Sequence, residues 1–576
     1  MAVSLPGADR GQSPIVGNIL LVGIAIVLGA IVVVAAFGLV DDPSAPPQAS
    51  VQIADGDEVV MVAGSNVDEV LIRDESGTVH GRLQSAGDSL SLGTLDPRTT
   101  YSVVAVRDGK ENLVRKLTRE ELVGDISAPS ASPASVSASD LDGDGSASDP
   151  YVIRTDSELQ AIATIDPGAH YRLGNDIDAS KTDQWNGGSG FDPIEGFSGT
   201  LDGDGHTIFG LTIDRPGAND VGLFADSSGT LRDFSVEDLS VSGRDNVGGV
   251  VGSNQGTVEN VAAGYQISNV YDDAVVGERN VGGLVGNNDG GTIEASTTRG
   301  EIRGDSSEIG GMVGYNTGTV RDSHSTAAVS VETLSGRHVA GLVGTNADSG
   351  TITGSSATGD VTVADASDNY PRVGGLVGEN FGTIEQSYAT GNVTGVAGAS
   401  SANHNYGGLV GINWDGTIKQ SYATGDVITD GRAGALVGRV SQQQGSGTAT
   451  IVDSYASGNV TSRNDAAGGL VGSVHGGYDL DVSTSFATGA VSGGPTGGLV
   501  GDIEGGATVS LTDSYWDTET TGQSKAVGSG TVTKSGFEKL TTSELTGSEA
   551  SSNTVLDFTN VWTTVPDDYP RHQWDE

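Results

Sequence analysis

Apolar and polar positions follow three successive rhythms along this chain. From Gly11 to Val40 there is no charge, and Ile15 to Val40 is almost continuously apolar. A helix rises about 1.5 Å per residue, so roughly 20 such residues cross a ~30 Å hydrocarbon layer. The run therefore predicts a membrane-spanning helix over 12–40, too long for a cleaved secretion signal with its apolar stretch of roughly 7–15 residues. Arg10 precedes it and Asp41 and Asp42 follow, which predicts a short cytoplasmic N-terminus and an external remainder. A Pro-rich spacer occupies 41–50. Residues 51–123 switch to short alternating stretches such as "EVVMVA", "EVLIR" and "YSVVAV", the two-residue period of strands. They predict a small β-rich domain, with Asp108-Gly109 as a hairpin turn and "LTREEL" as a short helix capped by Thr118 and Glu121. A Ser/Ala/Pro/Asp-rich linker is expected over 124–149.

The third rhythm is a repeat. "GGVVG", "GGLVG", "GGMVG", "AGLVG" and "GALVG" recur nine times, ending at Gly252, Gly286, Gly314, Gly344, Gly378, Gly411, Gly438, Gly472 and Gly501. A second element follows most copies, as in "GTIEQSYATGNV" (Gly382 to Val393) and "GTIKQSYATGDV" (Gly416 to Val427). Each unit supplies short β-favouring runs broken by Gly, Asn or Asp, and none has enough apolar surface to fold alone. Stacked coils bury one continuous core. The expected fold class is all-β: a parallel β-helix-like solenoid, with a β-prism or propeller built from the same strands as the competing arrangement; 150–246 would open the solenoid, 247–520 carry the repeats and 521–576 close it. Glycine allows tight corners and close backbone approach, and the asparagines of "GNN", "GYN", "GTN", "GEN" and "GIN" are expected in left-handed turns. Thr155 and Glu158 have capping-box spacing, predicting a helix that covers the first coil with Leu159 and Ile162.

Composition narrows the function. Acidic residues number 75 against 29 basic ones, for a net charge of −46. That excludes nucleic acid as a partner, since phosphate neutralisation needs clustered Lys and Arg. Acid spread evenly along the chain, with few lysines, is expected of a surface kept hydrated in high salt. Cysteine is absent, which removes disulfides and thiolate chemistry.

The junction "DRGQSPIVGN" ahead of the apolar run resembles the signal of archaeal type IV pilins and archaellins. That resemblance implies a prepilin-like leader over 1–11, cut by a prepilin peptidase between Gly11 and Gln12, with the helix retained as an anchor or filament strand. The repeat pair resembles the GLUG repeat of bacterial and archaeal surface proteins. "GSASDPYVIRTDSELQAI" and "FSGTLDGDGHTIFGLTI" resemble segments that open such arrays, and "SYWDTETTGQSKAVGSGT" and "VWTTVPDDYPRHQW" segments that close them.

Candidate chemistry is sparse. The eight histidines are scattered, with no H-E-x-x-H, and there is neither a G-x-S-x-G elbow nor a phosphate loop; no catalytic residue is expected. "DLDGDG" places Asp140, Asp142 and Asp144 at calcium-loop spacing, but Tyr151 stands where the bidentate Glu belongs; calcium is the one cofactor these residues suggest. Asn392 and Asn459 head acceptable N-glycosylation sequons. The expectation is a single-pass, pilin-like surface protein presenting an acidic solenoid for adhesion. Its expected partners are the membrane, the prepilin peptidase, other pilins, surface glycans and cell-envelope proteins. The alternatives are a purely structural envelope protein on a plain signal anchor, or a polysaccharide-degrading β-helix enzyme.

Overall fold

The computed structural model describes residues 132–575 with breaks at 265–274, 277–278, 304–306, 332–337, 365–370, 396–403 and 442–446, and ahead of them 48–54, 58–65, 67–74, 78–85, 88–91, 101–107 and 110–117. The leader, the cleavage position at Gly11 and Gln12, the helix expected over 12–40 and the short helix expected at Thr118 lie outside the described residues. Among the described residues no helix is long and apolar enough to cross a membrane. Two compact units divide at the Pro129–Ser130 boundary.

The first unit is antiparallel. Gln48–Ala54 pairs with Glu58–Ser65, which pairs with Ser89–Ser91. Glu69–Asp74 lies between Val79–Leu83 and Tyr101–Arg107. The last of these pairs with Lys110–Leu117, Arg107 opposite Lys110, so the expected hairpin forms; its two turn residues are not among those described. Alternation puts Val59, Met61, Val70, Ile72, Leu83, Tyr101 and Val103 into one small core.

The second unit is the expected all-β solenoid. One coil shows its construction. Arg372–Gly374 belongs to a 10-stranded sheet (sheet I), and Val377–Asn380 to an 11-stranded sheet (sheet II). Thr383–Glu385 and Tyr388–Ala389 both belong to sheet III, and Val393–Gly395 to a 7-stranded sheet IV. Every strand pairs in parallel and in register with its equivalents in the neighbouring coils: Val377 stands on Val343 and under Val410. Val373, Leu376, Val377, Ile384, Ala389 and Val393 are fully buried, and their equivalents continue as one core through the stack. Burying each such aliphatic side chain contributes roughly 1.5–3 kcal/mol, which a single coil could not collect without neighbours above and below.

The repeated glycines between sheets I and II act through close approach. A Cβ at Gly374 would stand 1.9 Å from the Val377 carbonyl oxygen. The repeated asparagines do something other than expected. Asn254, Asn288, Asn316, Asn346 and Asn380 end their sheet II strands and Asn413 stands one residue before the end of its own; all six are fully buried, and none has positive φ. Each amide donates to the asparagine oxygen of the next coil at 2.8–2.9 Å, as far as Asn413. Each also reaches the carbonyl of a glycine just beyond its own strand, such as Gly382 from Asn380 at 3.3 Å. A buried amide with both hydrogens used is stable where a left-handed turn residue would have faced solvent. The left-handed position lies within sheet III, at Asp322, Gln386, Gln420, Asp453 and Thr484, with φ of 48–50°. The serine that follows is buried and stacked: Ser323 Oγ accepts from Ser296 N at 3.2 Å and donates to the Arg321 carbonyl at 2.8 Å.

Both ends are covered. Helix α1 (Asp156–Ile165) has the expected capping box from Thr155 and Glu158 and buries Leu159, Ala161 and Ile162. Residues 132–149, read as linker from composition, are built into this end. Asp142 bridges Val152, and the Gly145 carbonyl accepts from His170 N at 2.9 Å. At the far end the chain turns back along the outside of sheet III. Tyr388, Tyr422, Tyr455 and Phe486 stack ring on ring at 4.8–5.1 Å in successive coils. Trp562, His572 and Trp574 pack against this row, while Tyr422 Oη donates to Asp575 at 2.8 Å and Tyr569 Oη to Asp517 at 2.6 Å. The closing segment is a clamp spanning several coils.

Candidate functional site

Sheets I and II meet at the Gly-Gly corner of each coil. The first residue of the sheet I strand and the third of the sheet II strand, seven positions apart, both point outward into that corner. While the corner glycines and core residues repeat, these two positions change from coil to coil. They read Glu308 with Tyr315, His338 with Thr345, Arg372 with Glu379, Asn405 with Ile412, and Arg432 with Arg439.

In the middle coils the corner holds a charged network under little solvent. His338 is 7 % exposed and Glu379 5 %. Arg372 Nη1 lies 2.7 Å from His338 Nε2, so the arginine donates there and Nδ1 is the ring's donor. That nitrogen stands 2.8 Å from Thr345 Oγ1 and 3.1 Å from Glu379 Oε2. Arg372 also pairs with Glu379 and lies 5.2 Å over the ring of Trp414, which stacks on Phe381 at 5.9 Å. Glu308 is 3.6 Å from His338 Nδ1. Buried charges persist when each is paired and hydrogen-bonded, and this network extends over successive coils.

Two coils on, the corner turns basic. Arg432 and Arg439 both approach Glu504 Oε1 at 3.4 Å, and His475 Nε2 lies 3.8 Å from Glu504 Oε2. Burial, and next the charge of Arg432, push Arg439 down to about 10, against the opposing pull of Glu504 and Asp465.

The residues singled out by sequence motifs lie elsewhere. Asp140 accepts from Ser137 N at 2.9 Å and Ser137 Oγ at 2.6 Å. Asp142 pairs with Arg154 at 2.8 Å, and Asp144 accepts from Ser146 N at 2.9 Å. Three carboxylates committed to three separate partners do not converge on one point, and among the described residues no group of three or more His, Asp or Glu side chains could hold a metal ion. Asn392 and Asn459 stand exposed at the turns entering sheet IV. Sequence motifs missed the corner residues; the signal was present as variation at two fixed offsets around an otherwise constant "GGLVG". A second concavity, an open polar groove of about 480 Å³, crosses the first coils along glycines and the hydroxyls of Thr200, Thr230, Thr257 and Thr292.

Comparison with known proteins places two segments. The archaeal type IV pilin N-terminal profile matches residues 10–51, and the GLUG motif matches 335–362, 369–394 and 402–428. Halomucin of Haloquadratum walsbyi is 45% identical over 132 residues, covering 21% of this chain and 1% of halomucin. A protein named as a Gly-rich membrane protein from Evansella cellulosilytica is 33% identical over 131 residues, 21% of this chain and 15% of that protein. The chain thus spans only a small part of the curated relatives it matches. Among solved structures, a Bacteroides ovatus protein described as an immunoglobulin A1 protease aligns over 75% of this chain and 95% of its own, with 16% identity and a TM-score of 0.22. An IgA1 protease aligns over 73% of this chain and 29% of its own, with 17% identity and a TM-score of 0.31.

Proposed function

We propose that this chain is a membrane-anchored, pilin-like protein of the cell surface that presents its acidic solenoid for adhesion or surface binding. The observation that carries the reading is the pilin-type segment at 10–51 standing ahead of GLUG repeats, in a chain of which 132 residues are 45% identical to halomucin. On this reading a prepilin peptidase cuts between Gly11 and Gln12, and residues 12–40 remain as the anchor. The solenoid binds rather than catalyses. Its long face repeats the same frame with different corner residues, so many weak contacts to surface glycans or envelope proteins add up by avidity. A net charge of −46 suits a surface that stays hydrated where salt screens self-repulsion.

Mass spectrometry of the protein from its native membrane tests the anchor. A mature end at Gln12 in the membrane fraction is expected; an intact Met1, or recovery in the soluble fraction, refutes the processing route. Adhesion is tested by placing full-length protein in liposomes and measuring retention of cells and isolated envelope glycans in molar salt. Retention no greater than that of empty liposomes refutes it.

A further inference from the structure

We propose that Arg432, Arg439 and Ser473 form a binding site for an oxyanion, a sulfate or carboxylate group carried by a small ligand or a sugar. Arg432 and Arg439 occupy the two facing positions of one coil, their side chains 14% and 10% exposed. Bringing two guanidinium groups together with little solvent is unfavourable unless an anion lies between them. Glu504 answers Arg439 through a single oxygen at 3.4 Å, beyond the 2.7–2.9 Å of a charge-assisted hydrogen bond.

The second observation is independent of charge. Ser473 stands in register with Arg439 on the adjacent coil. Arg439 Nε and Ser473 Oγ are both buried without a hydrogen-bond partner, in residues 8% and 0% exposed. Buried donors are ordinarily satisfied, so two orphans side by side, both able to donate, point to an acceptor that the described residues do not supply. Because burial and Arg432 depress Arg439 to about 10, the internal carboxylates leave its charge under-compensated. The chemistry required is that of an anion with several acceptor oxygens. A planar guanidinium matches sulfate and carboxylate in a forked geometry that chloride cannot reproduce. Glu504 and His475, 28% and 41% exposed, form the solvent side, so Glu504 competes with the ligand. Neither membrane anchoring nor adhesion is needed for this site to bind.

Isothermal titration of the full-length protein in detergent, at constant potassium chloride, tests it with sodium sulfate, sodium glucuronate and neutral glucose. One site per chain is expected for an anion and none for glucose. Tighter binding of sulfate assigns the site to inorganic or ester sulfate, and tighter binding of glucuronate assigns it to acidic sugars. Glu504→Gln removes the competing carboxylate and should bind at least tenfold tighter, while Arg439→Gln should bind at least tenfold more weakly. The proposal is overturned if wild type and Glu504→Gln both titrate flat, if Glu504→Gln gains no affinity, or if a folded Arg439→Gln binds as wild type does. Should Arg439→Gln fail to fold, the Glu504→Gln comparison decides alone.

Discussion

Asn346 donates its side-chain amide to Oδ1 of Asn380 in the next coil at 2.9 Å, and to the Gly350 carbonyl at 3.3 Å. The same amide group therefore ties two coils together and closes its own turn. Asn346→Val would leave Asn316 without its acceptor and Asn380 without its donor, while the Gly350 carbonyl keeps its bond from Thr383 N at 3.0 Å. Buried groups left this way cost ~1–3 kcal/mol each, partly relaxed by rearrangement, so a loss of roughly 2–4 kcal/mol is expected. Asn413 ends the ladder, and Val440 already occupies its register position in the following coil. Asn413→Val should cost under ~2 kcal/mol, since fewer bonds are lost and an apolar contact is gained. Denaturant unfolding in molar salt measures both; equal losses would show that the ladder is not a chain of dependent bonds.

The glycine corners make a sharper contrast. A Cβ at Gly374 meets the Val377 oxygen at 1.9 Å and the Leu409 oxygen at 2.8 Å, whereas one at Gly217 meets nothing within 4 Å. Backbone oxygens on both sides cannot move apart without opening the coil. Gly374→Ala is expected to destabilise by ~3 kcal/mol or more, and Gly217→Ala to stay within ~0.5 kcal/mol. Thermal unfolding of the two variants beside wild type checks the difference.

These two cases mark how far the sequence could be read. The solenoid was legible because Val and Leu at constant offsets from paired glycines bury a core most simply when coils stack, although the same strands could also build a β-prism or propeller. The cap at Thr155 and Glu158 was legible because both partners lie within one turn. Asn380 was misread because asparagine suits both a left-handed turn and an amide ladder, and only in-register stacking of six copies selects the ladder. The pairing of Arg372 with Glu379 was hidden for a related reason: their approach depends on the fold angle at Gly374 and Gly375. Asp140, Asp142 and Asp144 had the spacing of a calcium loop, but Ser137, Arg154 and Ser146 satisfy them one by one.

The closing clamp should respond to acid. His572 is fully buried between Trp562 and Trp574, and its Nε2 meets the Asp453 carbonyl at 2.7 Å. Tyr422 and Tyr455 also pack on it, with Asp575 held at Tyr422. Burial pushes the imidazole down from 6.5 to about 4. The released clamp therefore binds the proton more readily than the docked one. Docking is at full strength above pH 6.5 and weakens as pH falls from there to 4, by about 3 kcal/mol in total at 1.36 kcal/mol per unit. Tryptophan emission and proteolysis near 541–575 should report release in that window. His572→Phe keeps a ring in place and should abolish the window; a variant that opens at the same pH as wild type would assign the effect to the carboxylates.

Asn392 and Asn459 stand at equivalent turns with Asp426 in the coil between them. Asn392 Oδ1 accepts from Asp426 N at 3.0 Å, and Asn459 Oδ1 accepts from Ala490 N at 3.0 Å. A glycan attached through Nδ2 would leave both of these bonds intact, so modification is compatible with the folded coil. The two sites differ in their nitrogens: Asn459 Nδ2 donates to Asp426 Oδ1 at 3.0 Å, an engagement that competes with attachment. If glycosylation follows folding, occupancy at Asn392 should exceed that at Asn459, and Asp426→Ala, by freeing the second nitrogen, should bring the two closer. Glycopeptide mass spectrometry on protein from the native membrane reads both occupancies. Equal occupancy in wild type would mean that the sugar is added before the coils stack, when Asp426 is not yet beside Asn459.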